Sequence, residues 1–304
     1  MPSKGDEFVY KFAVLVGVMT FLLIVIYVPP AIDFSVSNPF WNGYSVLSSR
    51  LNATILSSPL ITRINEPYKI AVITIPYLRY FPDEIINIKR FVANGGVLII
   101  LDDYGYSNQL LKAFGNYVTV INDSMLIDPL FCYKNGRLPR IVEFEEKPEV
   151  RGIKEVIFNH ASALQVISPD TEILAYSSSF SYLDTNLNSR WDVGEREGPF
   201  PVIAKFNYGS GLVYVISDPS FLLNSMIDLA DNYKLITNLV ENRTVIIDQY
   251  HLRSNIHYQI REFILSSLSQ IRQANIMPYA IIIFMLVVVL LTGKVLADKG
   301  VSYE

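Results

Sequence analysis

The chain has 304 residues, of which 51% are hydrophobic, and a formal net charge of −4. No basic block accompanies this charge, which argues against nucleic acid as a partner. The single cysteine, Cys132, excludes a disulfide framework within one chain and zinc sites of the Cys₂His₂ type.

The first apolar segment covers residues 12–30 and carries no charged side chain. At about 1.5 Å per residue, a helix of this length just spans a hydrocarbon core of about 30 Å when Tyr10 and Ile32 are included. We predict an uncleaved signal anchor, preceded by a cytoplasmic tail at residues 1–11. The alternative is a cleaved signal peptide, which the long apolar core and the lack of a small-residue cleavage site disfavour.

A second apolar segment covers residues 276–293 and is followed by Lys294 and Lys299. Its length and lack of charge predict a second transmembrane helix rather than a buried core helix. Before it, apolar residues recur at helical spacing through residues 251–273, which predicts an amphipathic helix. Residues 294–304 then form a second cytoplasmic tail.

Two spans place residues 34–250 on the opposite side of the membrane from both termini. Lysines flank both spans on the terminal side, a thin bias that puts the termini in the cytoplasm. Three sequons, which begin at Asn52, Asn122 and Asn242, support an extracytoplasmic domain. The sequence therefore predicts a two-pass protein of the cell membrane, with the lipid bilayer as its first partner.

The segment between the spans has the pattern of an α/β fold. Apolar runs at residues 69–75 and 97–101 predict buried strands, and residues 82–94 and 107–114 predict helices. A third strand is expected at residues 117–121. Continuous apolar strands that alternate with helices indicate a mostly parallel sheet flanked by helices, as in flavodoxin-like folds.

Beyond residue 122 the helical pattern thins out and strands predominate. Four more strands are predicted, at residues 153–158, 171–176, 202–206 and 211–217. The tight turn at residues 207–211 joins the last two of them in an added β-hairpin. A helix at residues 232–240 and a strand at residues 244–247 complete the domain.

Residues 184–195 carry oxygen-bearing side chains at the spacing of a Ca²⁺ loop of the EF-hand kind. Positions one, three, five, nine and twelve of the loop are Asp184, Asn186, Asn188, Asp192 and Glu195. Position seven, Arg190, would contribute only its backbone carbonyl. Position six departs from the pattern, because Ser189 stands where a sharp turn favours Gly, and the flanks do not predict two helices. We expect a structural Ca²⁺ ion; the alternative is a polar surface loop.

Polar residues collect where the predicted strands end, and in open α/β sheets ligands bind beyond the carboxyl ends of the strands. A possible ligand pocket is expected from Asp102, Asp103, Ser217, Asp218, Asp248 and His251. Such carboxylates with one histidine could hold a metal ion and serve a hydrolase. The alternative is that each aspartate caps the turn or helix that follows it.

No catalytic residue is predicted. Cys132 lies in no strand-turn-helix elbow, and the sequence contains no Gly-x-Ser-x-Gly motif and no phosphate-binding loop. The three histidines lack metal-ligand spacing. A nucleophile is therefore not expected in this domain.

Short motifs follow one another between residues 34 and 252. They are Asn38-Pro-Phe-Trp-Asn-Gly43, Phe91-Val-Ala-Asn-Gly-Gly-Val-Leu-Ile-Ile-Leu-Asp102, Tyr182-Leu-Asp-Thr-Asn-Leu-Asn188, Gly198-Pro-Phe-Pro-Val202, Tyr208-Gly-Ser-Gly211, Ser217-Asp-Pro-Ser220, Asp231-Asn232 and Asp248-Gln-Tyr-His251. Their content and order resemble a membrane-anchored family of unknown function, number 4350 in domain-family naming. The soluble part of that family is similar to the class I glutamine-amidotransferase-like fold.

The resemblance implies little about activity. An active amidotransferase-like enzyme has a cysteine in the turn after the strand that ends near residue 101, where this chain has Asp102-Asp-Tyr-Gly105. The resemblance therefore implies no glutaminase activity, and it suggests an accessory membrane protein found with AAA-type ATPases or transporter-like complexes.

These observations together predict a non-enzymatic extracytoplasmic binding or scaffold domain, with proteins of a membrane complex as possible partners. Two alternatives stay open. One is a metal-dependent hydrolase that uses the carboxylates at the strand ends. The other is an accessory subunit of a transporter-linked or ATPase-linked complex.

Overall fold

The computed structural model describes residues 4–29, 31–59, 64–252, 260, 263–267 and 288. The chain divides into two compact units, one of residues 31–253 and one that comprises residues 1–30 and 254–304. The second transmembrane helix predicted at residues 276–293 and the tail at 294–304 lie outside the described residues, except Val288. So does most of the amphipathic helix predicted at residues 251–273.

The unit that comprises residues 1–30 and 254–304 contains helix α1, Lys4–Tyr27. Within it, Glu7–Val25 is long and apolar enough to cross a membrane, the one such segment among the residues described. The helix begins inside the segment predicted as a tail at residues 1–11. It ends before Pro29, since a proline cannot continue the hydrogen-bonding pattern of a helix.

The globular unit, residues 31–253, contains four further helices and all of the described strands. The helices are α2 Ser45–Arg50, α3 Pro82–Ala93, α4 Asn108–Phe114 and α5 Asn232–Val240. Short 3₁₀ turns lie at Pro67–Lys69, Pro148–Val150 and Ser220–Leu222. The strands are β1 Thr54–Leu56, β2 Ile70–Thr74, β3 Val97–Leu101, β4 Val118–Val120, β5 Met125–Ile127, β6 Arg140–Ile141, β7 Glu143–Phe144, β8 Val156–Ile157, β9 Leu164–Val166, β10 Glu172–Tyr176, β11 Tyr182–Asp184, β12 Pro201–Tyr208, β13 Gly211–Ile216 and β14 Thr244–Asp248.

Eight of these strands form one central sheet in the order β1-β14-β2-β3-β13-β12-β10-β7. The first five strands of this order pair in parallel, and the last three join antiparallel. The predicted α/β class with a mostly parallel sheet is therefore confirmed. The predicted hairpin is present as β12 and β13, with Gly209 in its turn at a φ of +61°.

The central strands are apolar without interruption because both faces of the sheet are covered. In β3, Ile99 and Leu101 pack in the core on the side of α5, whereas Leu98 and Ile100 pack on the side of α3 and α4. All five residues of β3 are buried. Strands in such a position carry no polar alternation, which is why the pattern of the sequence identified them.

Helix α3 illustrates how local chemistry sets an element. Pro82 stands at its first turn, where its missing N–H costs nothing, and the Glu84 carboxylate accepts the backbone N–H of Phe81 at 2.8 Å. Gly95, at a φ of +98°, follows the helix in the left-handed region that a side chain would strain. Start and stop signals of this kind explain why the predicted limits, residues 82–94, nearly match Pro82–Ala93.

Two predicted strands are shorter than expected and lie outside the central sheet. The strand expected at residues 117–121 is β4, which pairs antiparallel with β9 in a separate two-stranded sheet. The strand expected at residues 153–158 is β8, two residues that pair with β6. The edge strand β1 was not predicted, because only one of its three side chains is even partly buried and it lacks an apolar run. Its pairing with β14 is what makes it a strand.

Asn232, at the start of α5, holds three segments of the globular unit together. Its side-chain oxygen accepts the N–H of Ile157 at 2.8 Å. Its amide nitrogen donates to the carbonyls of Ile157, Phe221 and Met226 at 2.9–3.0 Å. The Asn232 side chain is fully buried, and both of its polar atoms are hydrogen-bonded without water.

Candidate functional site

The crevice at the carboxyl ends of β3 and β13 is the place where a ligand is expected in this topology. The two strands are parallel neighbours. Helix α4 follows β3 and packs Leu111 and Phe114 on one face of the sheet, whereas α5 follows β13 and packs Leu235 and Leu239 on the other. Neighbouring strands whose connections leave to opposite faces open a crevice between their ends.

Asp102, directly after β3, is buried and closes its own loop. Its Oδ1 accepts the N–H groups of Tyr104 at 2.9 Å and Gly105 at 3.0 Å, and its Oδ2 accepts that of Ser107 at 2.7 Å. Gly105 has a φ of +81°, and a Cβ there would lie 3.0 Å from the Asn108 side chain. The carboxylate therefore serves as the cap of the turn that leads into α4.

Asp218, after β13, is also fully buried and caps a turn. Its carboxylate accepts the N–H of Asn159 at 2.7 Å and the N–H of Ser220 at 2.6 Å. Burial, and then the charge of Asp103, raise the pKa of Asp218 well above its usual range. The hydroxyl of Ser217 beside it is buried without a hydrogen-bond partner among the described residues.

Asp103 is the half-buried member of this group. Burial, with the neighbouring charge of Asp102, raises its pKa to about 7. Tyr44 and Tyr77 lie close enough that Asp103 raises the pKa of both phenols, after burial itself as the larger cause. The crevice thus contains acids and phenols that stay protonated at higher pH than usual.

Asp248 and His251 form a second buried group with Glu84 and Thr74. Asp248 Oδ1 accepts the N–H of Tyr250 at 2.9 Å, and its Oδ2 lies 2.6 Å from His251 Nδ1 and 2.9 Å from Thr74 Oγ1. The opposite nitrogen, His251 Nε2, lies 3.5 Å from Glu84 Oε1.

Within the described part of the chain, neither His251 Nε2 nor Glu84 Oε1 has a hydrogen-bond partner. Because one acceptor cannot bond another, a proton on either atom would complete an Asp248–His251–Glu84 chain. The ring of Tyr80 packs 4.0 Å from the His251 ring, and the adjoining cavity has a volume of only about 10 Å³. The group is thus enclosed and joins β2, α3 and the turn after β14.

The six residues predicted to share a pocket lie at the ends of three strands. Asp102 and Asp103 follow β3, and Ser217 and Asp218 follow the neighbouring strand β13. Asp248 ends β14 and bonds both His251 and Thr74 of β2. Within residues 4–252 as described, no set of three or more His, Cys, Asp or Glu side chains is arranged to hold a metal ion. The capping alternative accounts for Asp102, Asp218 and Asp248.

An open groove of about 400 Å³ lies beside these groups, between the loop after β2 and the loop after β3. It is lined by Pro76, Tyr77, Leu78, Arg79, Gly105, Tyr106 and Gln109. None of these residues was predicted as a site residue. The signal that could have found them is the pair of tyrosines flanking Gly105 directly after an acidic strand end, since exposed aromatics on a loop at that edge favour binding.

The loop after β3 presents its two tyrosines side by side. Tyr104 and Tyr106 stack with ring centroids 5.6 Å apart and an interplanar angle of 23°. Their exposed fractions are 58% and 44%. Tyr77 contacts both rings, at 6.4 and 5.8 Å, and so links them to the buried aromatic residues Phe34 and Tyr44.

The loop predicted to bind Ca²⁺ lies apart from these groups in the sequence and begins at the end of β11. Asp184 is fully buried, and its carboxylate accepts the N–H groups of Asn188 at 3.2 Å and Ser189 at 2.6 Å. Ser189 has a φ of +60°, the left-handed conformation that favours Gly at position six. Glu195 accepts the N–H of Thr185 at 2.8 Å.

Three of the predicted ligand side chains converge on one point. The side-chain nitrogens of Asn186 and Asn188 each lie 2.7 Å from Asp192 Oδ2. These two bonds, led by that of Asn186, lower the pKa of Asp192. Arg190 contributes its N–H to Asn188 Oδ1 at 2.7 Å.

Comparison with known proteins identifies a family but no activity. A family described as a domain of unknown function, DUF4350, matches residues 36–240. No curated protein matches the chain. Among solved structures, the mmIFT52 N-terminal domain is similar with 15% identity over 57% of this chain and 77% of that chain, at a TM-score of 0.42.

Two further structures are similar at comparable distance. The cytoplasmic protein STM1381 of Salmonella typhimurium LT2 has 15% identity over 61% of this chain and 78% of its own, at a TM-score of 0.38. The β-galactosidase of Bacillus circulans sp. alkalophilus has 16% identity over 57% of this chain but 22% of its own, at a TM-score of 0.36. These likenesses are too distant to assign an activity.

The raised pKa of Asp103 predicts a specific dependence of stability on pH. The folded chain holds this proton up to about pH 7, whereas an ordinary aspartate releases it near 3.8. The contribution of protonated Asp103 to the free energy of unfolding is therefore complete below about pH 4 and is lost as the pH rises to about 7. The Tm of Asp103→Asn should equal that of the wild type at pH 4 and exceed it by several degrees at pH 8.

Asp170→Asn, at an exposed aspartate, serves as the control and should leave the pH profile of Tm unchanged. Equal Tm values for Asp103→Asn and the wild type at both pH values would contradict the assigned environment of Asp103.

Proposed function

Because the chain belongs to the DUF4350 family, whose match covers residues 36–240, we propose that it is a membrane-anchored binding protein without enzymatic activity. Its globular unit lies outside the cytoplasmic membrane and receives a ligand in the groove between the loops after β2 and β3. This choice favours the binding or scaffold role over a hydrolase.

The proposal rests on one observation: the carboxylates at the strand ends are hydrogen-bonded to backbone N–H groups. Asp102 and Asp248 accept backbone N–H groups of the turn that follows their strand. Asp218 accepts the N–H of Ser220 in its own turn and that of Asn159 from another segment. A carboxylate held in this way positions a loop, and this role alone explains an acid at the end of each strand. The groove, by contrast, is lined by side chains that point to recognition: aromatic rings, a guanidinium and an amide.

The amidotransferase-like fold is part of the proposal. It is supported by a parallel sheet with a sharp capped turn after β3, the position of the nucleophile in active relatives of that fold. Asp102 and Asp103 stand there, and the sole cysteine, Cys132, forms a β-bridge with Pro139 elsewhere. A cysteine-dependent glutaminase reaction has no nucleophile at this turn.

Membrane anchoring is proposed from helix α1 and from the composition of residues 276–293. Nearly all of the described side chains of α1 are exposed, although the helix is apolar on every side. A helix of this kind suits lipid, which satisfies apolar side chains all round. The two-pass arrangement, with cytoplasmic tails at both ends, would let the chain act as an accessory subunit of a transporter-linked or ATPase-linked complex.

A structural Ca²⁺ in the loop at residues 184–195 is also proposed. The amide groups of Asn186 and Asn188 converge on Asp192, and a turn of each amide about its last side-chain bond would bring two oxygens to the same point. The ion would thus be held by these three side chains, with Asp184, Glu195 and the Arg190 carbonyl completing the predicted set. A bound ion would rigidify a loop that no disulfide restrains.

The groove predicts a ligand effect that depends on Tyr106. Full-length protein in lipid nanodiscs is tested by thermal shift against neutral sugars, acidic sugars, organic acids and short peptides. At least one class should raise the Tm of the wild type by a few degrees and leave that of Tyr106→Ala unchanged. Tyr68→Ala, at an exposed tyrosine on another loop, is the matched control and should keep the response.

If every class that stabilises the wild type stabilises Tyr106→Ala equally, the groove is not the binding site. If no class stabilises the wild type, the binding function itself is refuted.

The Ca²⁺ loop predicts ion-dependent stability. With free Ca²⁺ at 100 times its dissociation constant, the free energy of unfolding should rise by about 2.7 kcal/mol over that in a chelator. Asp192→Asn removes the charge on which the two amides converge and should abolish most of this rise. Asp123→Asn, outside the loop, should preserve it. Identical melting of the wild type with Ca²⁺ and with chelator would rule out the ion.

The membrane arrangement predicts which positions a membrane-impermeant maleimide can reach. In a Cys132→Ser background, Ile86→Cys on the exposed side of α3 should be labelled on intact cells, because the globular unit lies outside. Ser3→Cys should be labelled only after the cells are permeabilised. Labelling of Ser3→Cys on intact cells, and of Ile86→Cys only after permeabilisation, would show the opposite topology.

A further inference from the structure

We propose that the groove between the loops after β2 and β3 binds an acidic saccharide, with a sugar ring on Tyr106 and a carboxylate on Arg79. The inference rests on the proposed binding function and names the class of ligand. It follows from four features of the groove: fixed walls, an aromatic platform, an unpaired cation and a size that suits one or two rings.

Both walls of the groove are held by hydrogen bonds that do not involve its lining side chains. On the β3 side, the carboxylate of Asp102 fixes the loop through three backbone N–H groups. On the β2 side, the N–H of Leu78 donates to the carbonyl of His251 at 2.9 Å. The groove is therefore formed before a ligand arrives, and little ordering is lost on binding.

Tyr106 gives the groove an exposed aromatic ring beside the apolar side chains of Pro76 and Leu78. The Tyr106 ring is 44% exposed and is held in place by its stack with Tyr104 and by the edge contact with Tyr77. The face of an aromatic ring is negative and attracts the weakly positive C–H groups of a sugar ring. A sugar presents such an apolar face together with hydroxyl groups at its edge, which matches this lining.

Arg79 gives the groove its charge preference. It lies at the groove and is exposed, and within the described residues it takes part in no salt bridge. Its guanidinium can therefore pair with a carboxylate through two parallel N–H donors. Gln109, which reaches the carbonyl of Tyr80 at 3.4 Å, adds an amide suited to hydroxyl groups.

The dimensions favour a small ring over an extended chain. The groove encloses about 400 Å³, near the lower end of the range for small-molecule sites. An acidic peptide would be attracted by Arg79 alone and would make no particular use of the tyrosine platform. The two ligand classes therefore differ in their dependence on Tyr106.

Asp103 supplies an independent signature of an anionic ligand. It follows β3 directly, lies beside Tyr77 and has a pKa of about 7. A bound carboxylate would be repelled by the ionised form of Asp103 and not by the protonated form. Affinity should therefore increase as the pH falls from 8 to 6, and Asp103→Asn should remove this increase.

The experiment is calorimetric titration of the full-length protein in nanodiscs with three probes. They are trigalacturonic acid, the neutral trisaccharide maltotriose and triglutamate. Trigalacturonic acid should bind at least 10-fold more tightly than either of the others. Arg79→Gln and Tyr106→Ala should each weaken it about 10-fold or more, whereas Arg151→Gln, at an exposed arginine outside the groove, should not.

The outcomes separate the possibilities. Maltotriose binding equal to that of trigalacturonic acid, or binding unaffected by Arg79→Gln, would overturn the carboxylate assignment. Equal or tighter binding of triglutamate that persists in Tyr106→Ala would replace the saccharide with an acidic peptide. No heat with trigalacturonic acid, alongside Tyr106-dependent stabilisation by another class of compound, would refute the saccharide and leave the binding function standing.

Discussion

Buried aspartates at the ends of strands hold the loops of this protein. Five aspartates lie at the end of a strand or within two residues after it and are at most 4% exposed: Asp102, Asp128, Asp184, Asp218 and Asp248. Each accepts at least two backbone N–H groups. A buried carboxylate is costly to desolvate, and several N–H donors offset that cost while fixing the path of the following turn. Residues that suggest acid–base chemistry in the sequence thus determine where the loops run.

In the proposed binding role, the fixed loops supply the side chains that contact a ligand. The turn held by Asp102 displays Tyr104 and Tyr106, and the loop beside it displays Arg79. The buried Asp248–His251–Glu84 group ties the neighbouring loop to the end of the globular unit, since the His251 carbonyl accepts the N–H of Leu78. A rigid scaffold beneath an aromatic and cationic opening is the arrangement that the proposed binding site requires.

The sequence predicted the central strands and their helices, because β2, β3 and β13 are apolar throughout and helices such as α3 carry their own start and stop signals. It predicted β4 and β8 only as longer strands and missed β1, because the limits and the existence of such short strands depend on a distant partner strand. The site was predicted only as a collection of strand-end acids. Spacing along a chain does not reveal which carboxylate oxygens accept backbone N–H groups. Nor does it reveal that the ring centroids of Tyr77 and Tyr106, far apart in sequence, lie 5.8 Å apart.

Hydrogen exchange tests most directly whether the strand-end carboxylates hold the loops. In the wild type the amides of Tyr104, Gly105 and Ser107, which donate to Asp102, should be protected although their loop is at the surface. In Asp102→Asn these amides should exchange at least about 10-fold faster, while the amides of β3 keep their wild-type rates. Unchanged exchange at all three positions would contradict the account, because the loop would then be held by something other than the carboxylate.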